Sequence, residues 1–93
     1  MDPHARFLRR VRVLVNSLDA ILTPSQRDEV VHLINHDELG EALRTLAWMI
    51  VEEDKRIPRA AYESIMKMSA GLVAPEDLPR NLAAFVLRAE SGE

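Results

Sequence analysis

The sequence predicts an all-α protein: a small single-domain bundle of four to five helices spanning residues 1–93. Three observations carry that expectation. Apolar residues recur at three- and four-residue spacing from Phe7 to Leu22, at Phe7, Leu8, Val11, Leu14, Val15, Leu18, Ile21 and Leu22, which is one stripe of a helix. Capping residues and prolines punctuate the chain at helix-length intervals. No stretch alternates apolar and polar residues long enough to make a sheet.

The first helix is expected from Pro3 to about Leu22. Asp2 can accept from the first free backbone N–H groups, and Pro3 suits the first helical position. Thr23-Pro24-Ser25-Gln26 then stops one helix and starts the next. Thr23 and Gln26 have the spacing of a capping box, and Asp28 and Glu29 favour the positive end of the helix dipole. The second helix should run to about Asn35, burying Val30, Val31, Leu33 and Ile34.

Asn35-His36-Asp37 breaks the chain again. A third helix is expected from about Glu38 to Glu53, with Leu39, Ala42, Leu43, Leu46, Ala47 and Ile50 as its inner face. Pro58 opens a fourth, whose inner side carries Ala61, Tyr62, Ile65 and Met68. Gly71 is a natural cap at its end, and Leu72 is placed to close the apolar contact that accompanies such caps. A last helix from Pro79 to about Arg88 would bury Leu82, Phe85, Val86 and Ala89. Residues 1–2 and 91–93 are expected to fray.

Composition narrows the function classes. The 93 residues are 47% hydrophobic and 29% charged, enough apolar surface to offset chain entropy in one domain. Aromatic residues make up only 4%, so Leu, Val, Ile, Ala and Met must build the core. With no cysteine, disulfides, thiolate chemistry and cysteine zinc sites are excluded. No apolar run approaches the length of a membrane span. The run Val13 to Val15 after the N-terminal arginines is too short for a signal-peptide core. The expected location is the cytoplasm.

The net charge of −3 is unevenly spread. Residues 1–22 carry +2, residues 23–56 carry −4 and residues 57–93 carry −1. An acidic middle disfavours nucleic acid and suits a basic protein partner.

Few residues point to chemistry. His32 and His36 lie four apart, with Asp28 one turn earlier, but Leu33 stands where a zinc-protease pattern needs Glu. With no third histidine and no cysteine nearby, the expectation is no metal, and a solvated pair instead. Arg6, Arg9 and Arg10 fall outside the apolar stripe, and no basic recognition helix follows them. No carboxylate pair sits beside a nucleophile or a Gly-rich phosphate loop, so neither an enzyme nor a cofactor is expected.

Trp48 is the more informative residue. It falls nearly opposite the inner face of the third helix, beside Glu41, Arg44 and Glu52. Either another element covers that side, or the ring is offered to a partner as an interface anchor. Glu52-Glu53-Asp54 closes the same helix, where acids oppose the dipole.

The stretch from Val30 to Met68 resembles the Maf-type immunity proteins of bacterial polymorphic toxin systems. The residues that carry the likeness are Leu33-Ile34, His36-Asp37-Glu38-Leu39-Gly40-Glu41-Ala42-Leu43, Leu46, Ile50, Glu52, Asp54, Ile57-Pro58, Ile65 and Met68. In this pattern an apolar pair precedes acids and Gly-x-Ala-Leu, followed by a helical run that ends in acids. The resemblance implies a helical protein that binds a cognate toxin domain and blocks it. On that reading Glu38, Glu41, Glu52, Glu53 and Asp54 steer a basic partner, and Trp48 anchors it. Two other readings remain: a regulatory or adaptor module that uses the first helix to associate with DNA, and a homodimer that buries the stripe from Phe7 to Leu22 against its mate.

Overall fold

The computed structural model describes residues 2–87 and folds them into a helical bundle. Helix α1 spans Pro3–Ser17, α2 Pro24–Asn35, α3 Leu39–Glu52 and α4 Arg59–Ser69. Two short 3₁₀ turns follow, Pro75–Asp77 and Leu82–Phe85. Helix α1 packs against α2 and α4, and α3 packs against the same two helices and the second 3₁₀ turn. The expected fraying at 91–93, and the expected burial of Ala89, fall outside the described residues.

The helix starts follow the caps written in the sequence. Asp2 Oδ1 accepts from the Ala5 N–H at 2.8 Å. At α2 both halves of the capping box form: Thr23 Oγ1 accepts from Gln26 N–H at 3.1 Å, and Gln26 Oε1 accepts from Thr23 N–H at 3.0 Å. Each such cap satisfies backbone donors that no turn of helix can reach.

Helix α1 stops at Ser17, one turn before its apolar pattern does. The Ser17 hydroxyl donates to the Leu14 carbonyl at 2.6 Å, competing with the helical ladder. Leu18 and Asp19 then bond three residues back, which tightens the chain into successive turns. Leu18 and Leu22 stay buried, so helical spacing in the sequence outlasts the helix itself.

Helices α2 and α3 end alike. After α2, Asp37 N–H reaches the Ile34 carbonyl and Glu38 N–H the Leu33 carbonyl; after α3, Asp54 and Lys55 do the same to Val51 and Ile50. This is the Schellman arrangement, and its left-handed position is held by aspartate both times, with φ of 61° at Asp37 and 53° at Asp54. Aspartate tolerates that region better than most residues but less well than glycine. Gly71 plays a different part from the cap expected of it. With Ala70 at φ −60°, ψ 123°, Gly71 at φ 88° and Leu72 N–H bonded to the Ser69 carbonyl, residues 69–72 form a type II turn just after α4. Leu72 is 50% exposed and lies against the start of α3 at Gly40.

The expected helix from Pro79 to Arg88 is absent over its described part. Only Leu82–Phe85 is helical, in 3₁₀ form. Val86 is extended and pairs with Ile57: Ile57 N–H donates to the Phe85 carbonyl at 2.9 Å, and Leu87 N–H to the Ile57 carbonyl at 2.7 Å. Arg56 donates to the Ala84 carbonyl at 3.1 Å and lies 5.1 Å over the Phe85 ring. Long-range bonds to the α3–α4 linker thus take the place of local helical ones.

One core runs through the bundle, built from Val11, Leu14, Val15, Leu18, Leu22, Val30, Ile34, the inner face of α3, Ile57, Ala61, Ile65, Met68, Leu78 and Leu82. Of the α1 stripe, Val11, Leu14, Val15, Leu18 and Leu22 are buried in this core, and Phe7, Leu8 and Ile21 are half-buried against it. Among the described residues no helix is long and apolar enough to cross a membrane.

The two aspartates at left-handed positions give a direct check on the caps. Asp54→Gly should raise unfolding free energy by about 0.5–1 kcal/mol, since glycine takes that conformation without a Cβ clash. A urea titration reads this, and a lower midpoint for the variant would show that the Asp54 side chain stabilises the turn.

Candidate functional site

Helix α3 has one face buried and one turned outward. The outward face carries Glu41, Arg44, Thr45, Trp48 and Glu52, the positions farthest in helical angle from the core residues Leu43, Leu46 and Ile50. Arg44 lies between acids. Its Nε donates to Glu41 Oε1 at 3.1 Å, and its Nη2 bonds to Glu41 Oε2, so the pair is bidentate. That hydrogen bond, with the charge of Arg44, holds the Glu41 carboxyl below its ordinary range, and Glu41 raises Arg44 in turn. A lowered carboxyl contributes stability above its unfolded pKa and loses it as pH falls through the folded value. Both side chains are substantially exposed, so that contribution is small.

Trp48 is half-buried. Its indole Nε1–H donates to the Asp77 carbonyl at 2.7 Å, so the first 3₁₀ turn lies against the ring. An element therefore covers part of the tryptophan, and the rest of the ring stays open. The open part faces a shallow groove lined by Glu29, Arg44, Thr45, Trp48, Met49 and Glu52.

The structure gathers some of the sequence-predicted residues and separates others. Glu41, Trp48 and Glu52 share the outward face with Arg44. Glu38 sits at the start of α3, where it makes no side-chain cap bond. Glu53 is the cap residue at the far end. Asp54 lies beyond it in the left-handed position and pairs with Arg56 at 3.3 Å. Of the run Glu52-Glu53-Asp54, only Glu52 lines the groove beside Trp48, and Asp54 occupies the left-handed turn position.

Glu29 joins the groove from α2, and sequence reasoning did not place it there. Its position depends on how α2 packs on α3, which no local pattern reports. Arg44 was within reach, because a charge three residues from Glu41 shares its helix face. Gly40 also gains a reason. A Cβ at that position would stand 3.1 Å from the Leu72 carbonyl oxygen, so glycine lets the turn after α4 lie close to the start of α3.

The histidines sit elsewhere. His4 Nε2 lies 3.0 Å from Asp37 Oδ1. The His32 and His36 rings are 4.2 Å apart, with His36 Nδ1 at 2.9 Å from the His32 carbonyl oxygen. Among the described residues no three His, Cys, Asp or Glu side chains converge as metal ligands do. The groove offers two carboxylates, a guanidinium, a hydroxyl and an aromatic ring. That set suits a cationic side chain laid between Glu29 and Glu52 and against the indole.

Comparison of the chain with protein-family models, with curated proteins and with solved structures finds no match in any of the three. The surface itself therefore carries the functional reading.

The tryptophan bond has a measurable weight. Trp48→Phe keeps an aromatic ring but leaves the Asp77 carbonyl without its donor, so stability should fall by about 0.5–1.5 kcal/mol. Thermal melts of the two proteins check this; equal melting temperatures would mean that water replaces the indole at no cost.

Proposed function

We propose that the chain is an immunity-type protein that binds and neutralises the toxin domain of a bacterial polymorphic toxin system in the cytoplasm. The interface is the outward face of α3. The observation that supports this most is the half-covered Trp48 beside Glu29 and Glu52 in one groove. An aromatic anchor held in place by its own hydrogen bond loses little freedom on binding. Acids around it draw in a basic partner, raising the rate of encounter, while the desolvated ring slows release. The likeness of residues Val30 to Met68 to Maf-type immunity proteins points to the same class of partner.

This division of labour assigns roles to residues. Glu29, Glu41 and Glu52 steer. Arg44 holds Glu41 and can give up that carboxylate to a basic side chain of the toxin. Trp48 anchors, and the Asp77 carbonyl keeps its ring in one orientation. Glu38, Glu53 and Asp54 lie outside the groove and add only to the long-range field, which salt screens over about 10 Å at 0.1 M.

The test is co-expression with the toxin domain encoded beside the gene. Growth should be rescued by the wild-type chain. In stopped-flow binding, Glu29→Lys with Glu52→Lys should slow association at least about ten-fold at low salt and flatten its salt dependence. A chain that rescues nothing, or a double variant with unchanged kinetics, would remove this face from the interface.

A further inference from the structure

Away from that face, α1 carries Arg6, Arg9, Arg10 and Arg12 and no acid in its fifteen residues. Arg12 donates to Asn35 Oδ1 at 3.0 Å. Among the described residues, the ion pairs are His4–Asp37, Arg27–Asp19, Arg44–Glu41 and Arg56–Asp54, and none includes Arg6, Arg9 or Arg10. In the midst of these cations stands Val13, 60% exposed. A β-branched apolar residue adds nothing to a solvated arginine face, so this pattern differs from that of a helix simply turned to water.

Beside Val13 a trough of about 420 Å³ runs along the seam between α1 and α4. Arg9, Arg10 and Val13 form its α1 side, and Ala60, Ser64 and Met68 its α4 side. Small side chains on α4 leave the seam open. Its surface is mainly apolar at the bottom and cationic along one rim.

We propose that the seam between α1 and α4 is a docking site for an acidic amphipathic helix of a partner protein. This goes beyond the reading of the α3 face and stands apart from it. Charge complementarity selects the occupant. A helix laid in the seam would place apolar side chains at i, i+3 or i+4, and i+7 against Val13, Ala60 and Met68. Its glutamates or aspartates would meet the Arg9 and Arg10 guanidinium groups in charge-assisted, bidentate hydrogen bonds. The small residues at positions 60 and 64 allow close approach of a second backbone. Nucleic acid fits less well, because a phosphate backbone gains nothing from an apolar floor, and only one rim of the seam is basic. The chain would then have two faces of opposite sign, one for a basic partner and one for an acidic helix.

The test uses the full chain and a fluorescein-labelled peptide of about 15 residues, long enough to span roughly 22 Å as a helix. Its leucines follow the i, i+3, i+7 pattern and its flanks are glutamate; a second peptide carries lysine in place of each glutamate. Anisotropy should rise to saturation with the acidic peptide and show at least ten-fold weaker binding of the lysine peptide. Arg9→Glu with Arg10→Glu, surface changes that leave the core intact, should weaken the acidic peptide at least ten-fold. Ser64→Trp, which fills the trough, should do the same while circular dichroism stays that of the wild type. Amide shifts in NMR spectra should cluster at Val13, Ser17, Ala60 and Ser64 and leave the outward face of α3 unmoved. Absence of saturable binding would overturn the proposal, as would equal binding to both variants. So would a short DNA duplex that displaces the peptide and binds more tightly, or a concentration-dependent mass that Ser64→Trp abolishes, since a second copy would then fill the seam.

Discussion

The burial of one face of α3 is the constraint on which the rest of the structure depends. Leu46, Ala47 and Ile50 are fully buried, and α2, α4 and the second 3₁₀ turn all pack against this helix. A helix has only so much circumference. Once the face around Leu43, Leu46 and Ile50 is committed to the core, the opposite face must be covered by something else or be left in water. The chain does a little of each: the turn at Asp77 holds the Trp48 indole, and the groove beside it stays open. The candidate interface is thus a consequence of how the core is arranged.

The same economy explains the last third of the chain. Residues 79–86 have the composition of a helix, yet Leu78 and Leu82 must both reach the core while Arg56 and Ile57 compete for the carbonyls and N–H groups around Phe85. A local helix would keep those groups to itself. Pairing with the linker satisfies them, the second 3₁₀ turn packs on α3, and the turn before it holds the Trp48 indole through Asp77. Placement of the tryptophan therefore depends on bonds made by residues far from it in sequence.

Much of this was legible beforehand, for reasons that are local. Asp2, Thr23 and Gln26 announce helix starts because a cap needs only residues within one turn of each other. The inner faces of α1, α3 and α4 are readable because periodicity is a property of a single element. What escaped was whatever two elements decide together. The stop at Ser17, where the hydroxyl bonds back to the Leu14 carbonyl, is hidden by an apolar pattern that continues past it. Gly71 reads in sequence as a helix cap, whereas in the structure Ala70 and Gly71 form the centre of a type II turn. Glu29 entered the groove only through the packing of α2 on α3. The acids at residues 52–54 read as one cluster in sequence, whereas the helix ends within the run and places Asp54 at the left-handed turn position.

Native-state hydrogen exchange tests the central role of α3 most directly. If its buried face organises the bundle, the amides of Leu43, Leu46, Ala47 and Ile50 should exchange only through global unfolding, with the largest protection in the chain. The amides of α1 and of residues 70–87 should open at lower free energy and lower denaturant dependence. Protection of α3 that falls below that of α1 or α4 would contradict this account and place the organising contact elsewhere in the bundle.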